Sequence, residues 1–103
     1  MTNEMTPQRI QRKRTKGWKA PANTLNATRP GAHGNPYPME SEESESEREK
    51  CISDFVDYLD KMETKYPKIY AALLAEVHAA DYIMCWCPLD KPCHVDIWIK
   101  RAE

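Results

Sequence analysis

The chain has 103 residues, a formal net charge of -1 at pH 7, and 41% hydrophobic against 30% charged residues. That length limits it to one domain, and a core this small buries only about 60% of its unfolded surface, so a bound ligand or homo-oligomerisation is an expected stabiliser. The balanced charge excludes a uniformly basic nucleic-acid binder, and the longest apolar run, near Ile69–Val77, is too short for a membrane span.

The average conceals a polarised chain. Residues 1–8 are polar and read as a flexible N-terminus ahead of a single domain over 9–103. Arg9, Arg12, Lys13, Arg14, Lys16 and Lys19 then form a basic stretch that includes Trp18, and Pro21 prevents a helix from running onward. Such an arm suits nucleic-acid binding, with Arg14 and Lys16 on phosphates and Trp18 as a stacking ring. A solvated tail is the bland alternative.

Thr24–Thr28 reads as a short strand ended by Arg29-Pro30-Gly31. The following run to Pro38 is rich in glycine and proline and predicts a structured loop. Within it Gly34 permits close backbone approach, Asn35 offers donor and acceptor, and Arg29 can hold a phosphate or carboxylate bidentately. A tight structural turn explains the same residues equally well. The acidic Ser/Glu-rich segment 40–49 is expected to be a solvated loop leading into a helix whose N-terminus favours negative charge.

Ile52, Phe55, Val56, Leu59 and Met62 recur at helical spacing, and a second helix with Pro67 in its first turn carries Ile69, Tyr70, Leu73, Leu74 and Val77. Tyr82–Cys87 has the composition of a buried strand, closed by Pro88. Val95, Ile97 and Ile99 alternate as a strand would, yet Asp96 near the start and Lys100-Arg101 near the end favour a helix from Cys93. The order of elements predicts an α/β fold, a small Rossmann-like unit with a short sheet of about two or three strands and about three helices.

Chemistry concentrates in Cys85–His94. No secretory segment is apparent, so the chain reads as cytoplasmic and its four cysteines as reduced thiols. At a strand-loop-helix junction, Cys93 would start a helix whose field lowers a thiol pKa, making it a reactive cysteine with His94 as proton partner and Asp96 in support. Cys87 would line the same loop. The competing reading is zinc held by Cys85, Cys87, Cys93 and His94. Its spacing is irregular, adjacent Cys93 and His94 side chains are expected to diverge, and Cys85 alone reads as a core residue, so the metal reading is not preferred.

Three stretches in this order, Arg9–Trp18, then Arg29-Pro30 with Gly34-Asn35-Pro36-Tyr37, then Cys85-Trp86-Cys87-Pro88-Leu89 with Pro92-Cys93-His94 and Asp96, resemble the domain-of-unknown-function family 4326, small proteins of phages and bacteria. The resemblance spans about Thr6 to Ala102. It implies that the basic stretch belongs to the domain and that a helix follows Cys93; it brings no established activity. His33, Ala27-Thr28 and Ala79 stand where the family tends to have Trp, a Val-Gly-like pair and Gly; the first two fall near the Gly34-Asn35 loop, where the departure implies either a different ligand specificity or a decayed function.

Together these features favour a pocket for an anionic, nucleotide-like ligand between the Gly34-Asn35-Pro36 loop and the Cys87–His94 loop, and leave open whether Cys93 and His94 catalyse a reaction there. The alternatives are a non-enzymatic nucleic-acid-binding or host-directed interaction protein using the basic arm, and a small structural zinc domain.

Overall fold

The computed structural model describes residues 7–28, 31–36 and 44–103. Three strands, β1 (Gln8–Gln11), β2 (Thr24–Asn26) and β3 (Tyr82–Cys85), form one parallel sheet in the order β1-β3-β2. Helices α1 (Glu45–Lys65) and α2 (Pro67–Ala79) lie between β2 and β3 in the chain, and α3 (His94–Ala102) follows β3. Parallel neighbours cannot be joined by a hairpin, and the two helices supply the crossover from β2 to β3. Because all three strands run the same way, the segments leaving Gln11, Asn26 and Cys85 emerge at one carboxyl edge.

The α/β class is as the sequence predicts; β1 is the addition. It occupies the first residues of what reads as a basic arm and begins at Gln8, inside the segment expected to be flexible. With Ile10 its only apolar residue, it carries no alternating pattern. It joins the sheet through backbone pairing with the apolar central strand, Gln8 opposite Tyr82 through Gln11 opposite Cys85.

Ser44 caps α1, its hydroxyl accepting from the Glu47 amide at 3.3 Å, with Glu45 and Glu47 in the first turn. The acidic run therefore turns helical at Glu45, and residues 40–43 lie outside the described ones. α1 ends at Tyr66, and Pro67 opens α2 where its missing N–H costs nothing. On α2 the packed positions are Tyr70, Leu73, Leu74 and Val77, an i, i+3, i+4, i+7 stripe. Ile69, expected in that stripe, is 56% exposed because it falls one position outside it. On α3 Val95, Trp98 and Ala102 face the core. The helical period wins over strand-like alternation there, helped by the Asp96 carboxylate, which accepts from the Cys93 amide at 3.0 Å.

Trp98 sits at the centre of the core, fully buried, with the rings of His33, Phe55 and Tyr70 at centroid distances of 5.1, 6.0 and 6.4 Å. Its indole N–H donates to the His33 carbonyl at 3.0 Å. Arg101 ties α3 to the other two helices, pairing with Asp60 at 2.7 Å and donating to the Tyr70 hydroxyl at 3.2 Å. No helix among the described residues is long and apolar enough to cross a membrane.

Candidate metal centre at the carboxyl edge

The loop from β3 to α3 is held from two sides. Arg9, on β1, donates to the carbonyls of Pro88 at 2.9 Å and Lys91 at 2.8 Å, and pairs with Asp96 at 2.9 Å. Arg48, on α1, is buried and donates to the Pro92 carbonyl at 3.1 Å. Charge-assisted bonds to three consecutive parts of one loop fix its course. Its cysteines are thereby placed before any ligand arrives.

The fixed course brings the sulfurs of Cys85, Cys87 and Cys93 within 4.8 Å of one another. Cys85 and Cys93 approach to 3.1 Å, and the Cys93 sulfur lies 3.5 Å from Nδ1 of His94. In a tetrahedral zinc site, bonds of about 2.3 Å to sulfur and 2.0 Å to nitrogen place the sulfurs about 3.8 Å apart and sulfur and nitrogen about 3.5 Å apart. The Cys93 and His94 side chains meet instead of diverging, although the His94 nitrogen is not among the ligand atoms that all lie within 4.8 Å of one another. Cys93 precedes the helix with extended backbone (φ -149, ψ 154) while His94 is its first helical residue, and this change of backbone brings the adjacent side chains together.

His94 is held in turn. Its Nε2 lies 2.9 Å from the carbonyl of Ala27, just past β2. A carbonyl only accepts, so Nε2 carries a proton, and in the neutral tautomer this leaves Nδ1 as an acceptor on the sulfur side. This is the outer-shell bond by which metal-ligating histidines are commonly oriented. The Phe55 ring stands edge-on to the imidazole at 5.3 Å.

The three sulfurs divide their protons unevenly. Cys87 is held well below the ordinary thiol range, first by hydrogen bonds from Cys85 and Cys93 and then by the Arg48 guanidinium beside it. Cys85 is pushed up to about 11, chiefly by its hydrogen bond to Cys87. Cys93 is pushed up by its hydrogen bonds to Cys85 and Cys87, with burial adding to the effect. The two neighbouring sulfurs act on Cys93 against the direction expected from the helix start. Cys85 belongs to the core and to the sulfur cluster at once.

The other sequence candidates fall elsewhere. Asn35 Nδ2 donates to the Cys51 carbonyl at 3.2 Å, and the buried His33 ring meets the Leu73 carbonyl at 3.0 Å. The Gly34 amide donates to the Gly31 carbonyl at 2.9 Å, so this loop is packed against the helices. Arg29 lies outside the described residues. Trp18 follows a turn at Thr15–Trp18 in which Gly17 has φ +86, and Lys16 is exposed. Arg14 lies with its guanidinium carbon 4.3 Å from the ring centroid of Trp86, and Arg12 4.8 Å from the same centroid.

The sequence places Arg9 only in the basic arm and gives no role to Arg48 or Trp86, although Arg48 carries one legible signal. It stands four residues before Ile52, in line with the apolar stripe of α1, where a buried cation requires an acceptor across the interface.

The family model described as a domain of unknown function, DUF4326, matches residues 10–103. The chain belongs to the DUF4326 family. The match covers β1 from Ile10 onward, so the basic stretch is part of the DUF4326 domain, in agreement with its place in the sheet. Comparison with curated proteins and with solved structures finds no match.

Proposed function

We propose that this DUF4326 domain is a small zinc-binding module, with Cys85, Cys87, Cys93 and His94 as the ligand set. One observation carries the reading: three cysteine sulfurs converge within 4.8 Å, and a tautomer-fixed imidazole stands 3.5 Å from one of them. Three thiolates and an imidazole make a closed site of the structural type, and soft sulfur ligands select zinc over hard cations. Zinc would join the end of β3 to the start of α3, and through His94 to the end of β2. It would stabilise a domain whose core alone is small. In this reading the Cys93–His94 pair belongs to the metal shell and does not serve as nucleophile and base.

Protein purified without chelator is expected to contain about one zinc per chain. Cobalt substitution should give thiolate charge-transfer absorption, and Cys87→Ser should abolish both signals while Cys51→Ser, outside the cluster, keeps them. Substoichiometric metal in the wild type, or full zinc in Cys87→Ser, would overturn the assignment.

A further inference from the structure

The carboxyl edge of the sheet carries a second feature that the metal reading does not use. Two guanidinium groups, those of Arg12 and Arg14, lie within 4.8 Å and 4.3 Å of the ring centroid of Trp86, a residue that is 37% exposed. Among the described residues neither arginine has a carboxylate within ion-pairing distance. Arg9, Lys50 and Arg101 each do. Arg12 is positioned by its bond to the Thr28 hydroxyl at 3.3 Å, a neutral partner. The indole face offsets only part of two positive charges gathered on one ring. Lys13 and Lys16 stand exposed beside them, outside any regular element. By contrast, the cleft of about 160 Å³ beside Arg48 sets the carboxylates of Glu45, Glu49 and Asp90 against Arg48 and Lys91.

We infer that the Arg12–Lys16 segment and Trp86 form a binding face for single-stranded nucleic acid. The charges lie along successive residues of an open surface, which fits a polyanion laid across it better than a small molecule that needs enclosing walls. The exposed indole with its stacked guanidinium groups offers a platform for an unpaired base; in a duplex those base faces are already stacked. The face stands at the carboxyl edge of a parallel sheet, where open α/β folds gather their ligands. Trp86, and not Trp18, is the stacking ring.

The test is fluorescence anisotropy of a labelled oligo-dT strand of about 20 nucleotides, its RNA counterpart, the matching duplex, and a labelled mononucleotide. Wild-type protein as purified should bind the single strands with an affinity that falls as salt rises, and should bind duplex and mononucleotide more weakly. Trp86→Ala should lose affinity roughly 5- to 100-fold while Trp86→Phe retains most of it. Arg14→Gln should flatten the log affinity against log salt plot by about 0.7. Trp86 lies outside the core cluster, so an unchanged melt of Trp86→Ala confirms that binding alone is affected. Absence of single-strand binding at about 50 mM salt, wild-type affinity in Trp86→Ala, or a mononucleotide binding as tightly as the strand would each overturn the inference.

Discussion

Trp98→Ala is expected to cost about 3–5 kcal/mol of folding stability, the range for emptying a large aromatic site in a packed core. The indole is fully buried and its neighbours come from α1, α2 and the loop before α1, in the form of Phe55, Tyr70 and His33. Collapse into the space left behind would require all of these elements to shift together. The His33 carbonyl, which accepts from the indole nitrogen at 3.0 Å, would also lose its donor. A domain of about 100 residues has only about 5–15 kcal/mol in total, so the variant should sit close to unfolding at room temperature. Urea denaturation followed by far-UV circular dichroism measures the effect as a fall in midpoint at unchanged slope. Trp98→Phe keeps much of the ring packing but not the donor and should fall between the two. A Trp98→Ala midpoint within about 1 kcal/mol of wild type would mean that α3 is not docked as described.

Readability from sequence followed the strength of the periodic signal. α1, α2 and β3 announce themselves through apolar spacing, and α3 through its end charges, because each buries a face of its own. β1 does not: its Gln8–Gln11 run takes its place from the backbone of β3, and backbone pairing leaves no residue pattern to read. The candidate site divides the same way. Its cysteines were visible as residue types, whereas their convergence depends on the backbone change between Cys93 and His94 and on the grip of Arg9 and Arg48 from distant elements. Contacts across 79 and 44 residues of sequence are set by the tertiary fold. The Gly34-Asn35 loop shows the converse. Its composition suits a ligand loop and a structural turn equally, and it is the packing of His33 against Trp98 that favours the turn.

On the proposed zinc assignment, chelation is expected to lower the melting temperature by tens of degrees or to abolish the transition, since structural zinc contributes about 10–16 kcal/mol of apparent binding energy to a domain whose total stability is about 5–15 kcal/mol. The loss should be concentrated at one junction. Cys85 ends β3, Cys93 and His94 begin α3, and the His94 ring reaches the Ala27 carbonyl beyond β2 at 2.9 Å. Without the ion, the sulfurs hold this junction only through thiol hydrogen bonds, and α3 carries Trp98, so loosening its first turn also loosens the core. A thermodynamic cycle separates this from nonspecific damage: wild type and Cys87→Ser, each melted with and without chelator. Cys87 is only half-buried, so its replacement removes little packing in its own right. The chelated wild type and untreated Cys87→Ser should therefore melt together, and chelator should not lower Cys87→Ser further. Additive losses would separate the stabilising role of Cys87 from the metal, and a wild type that releases zinc without a shift in melting temperature would show that the ion does not hold the junction.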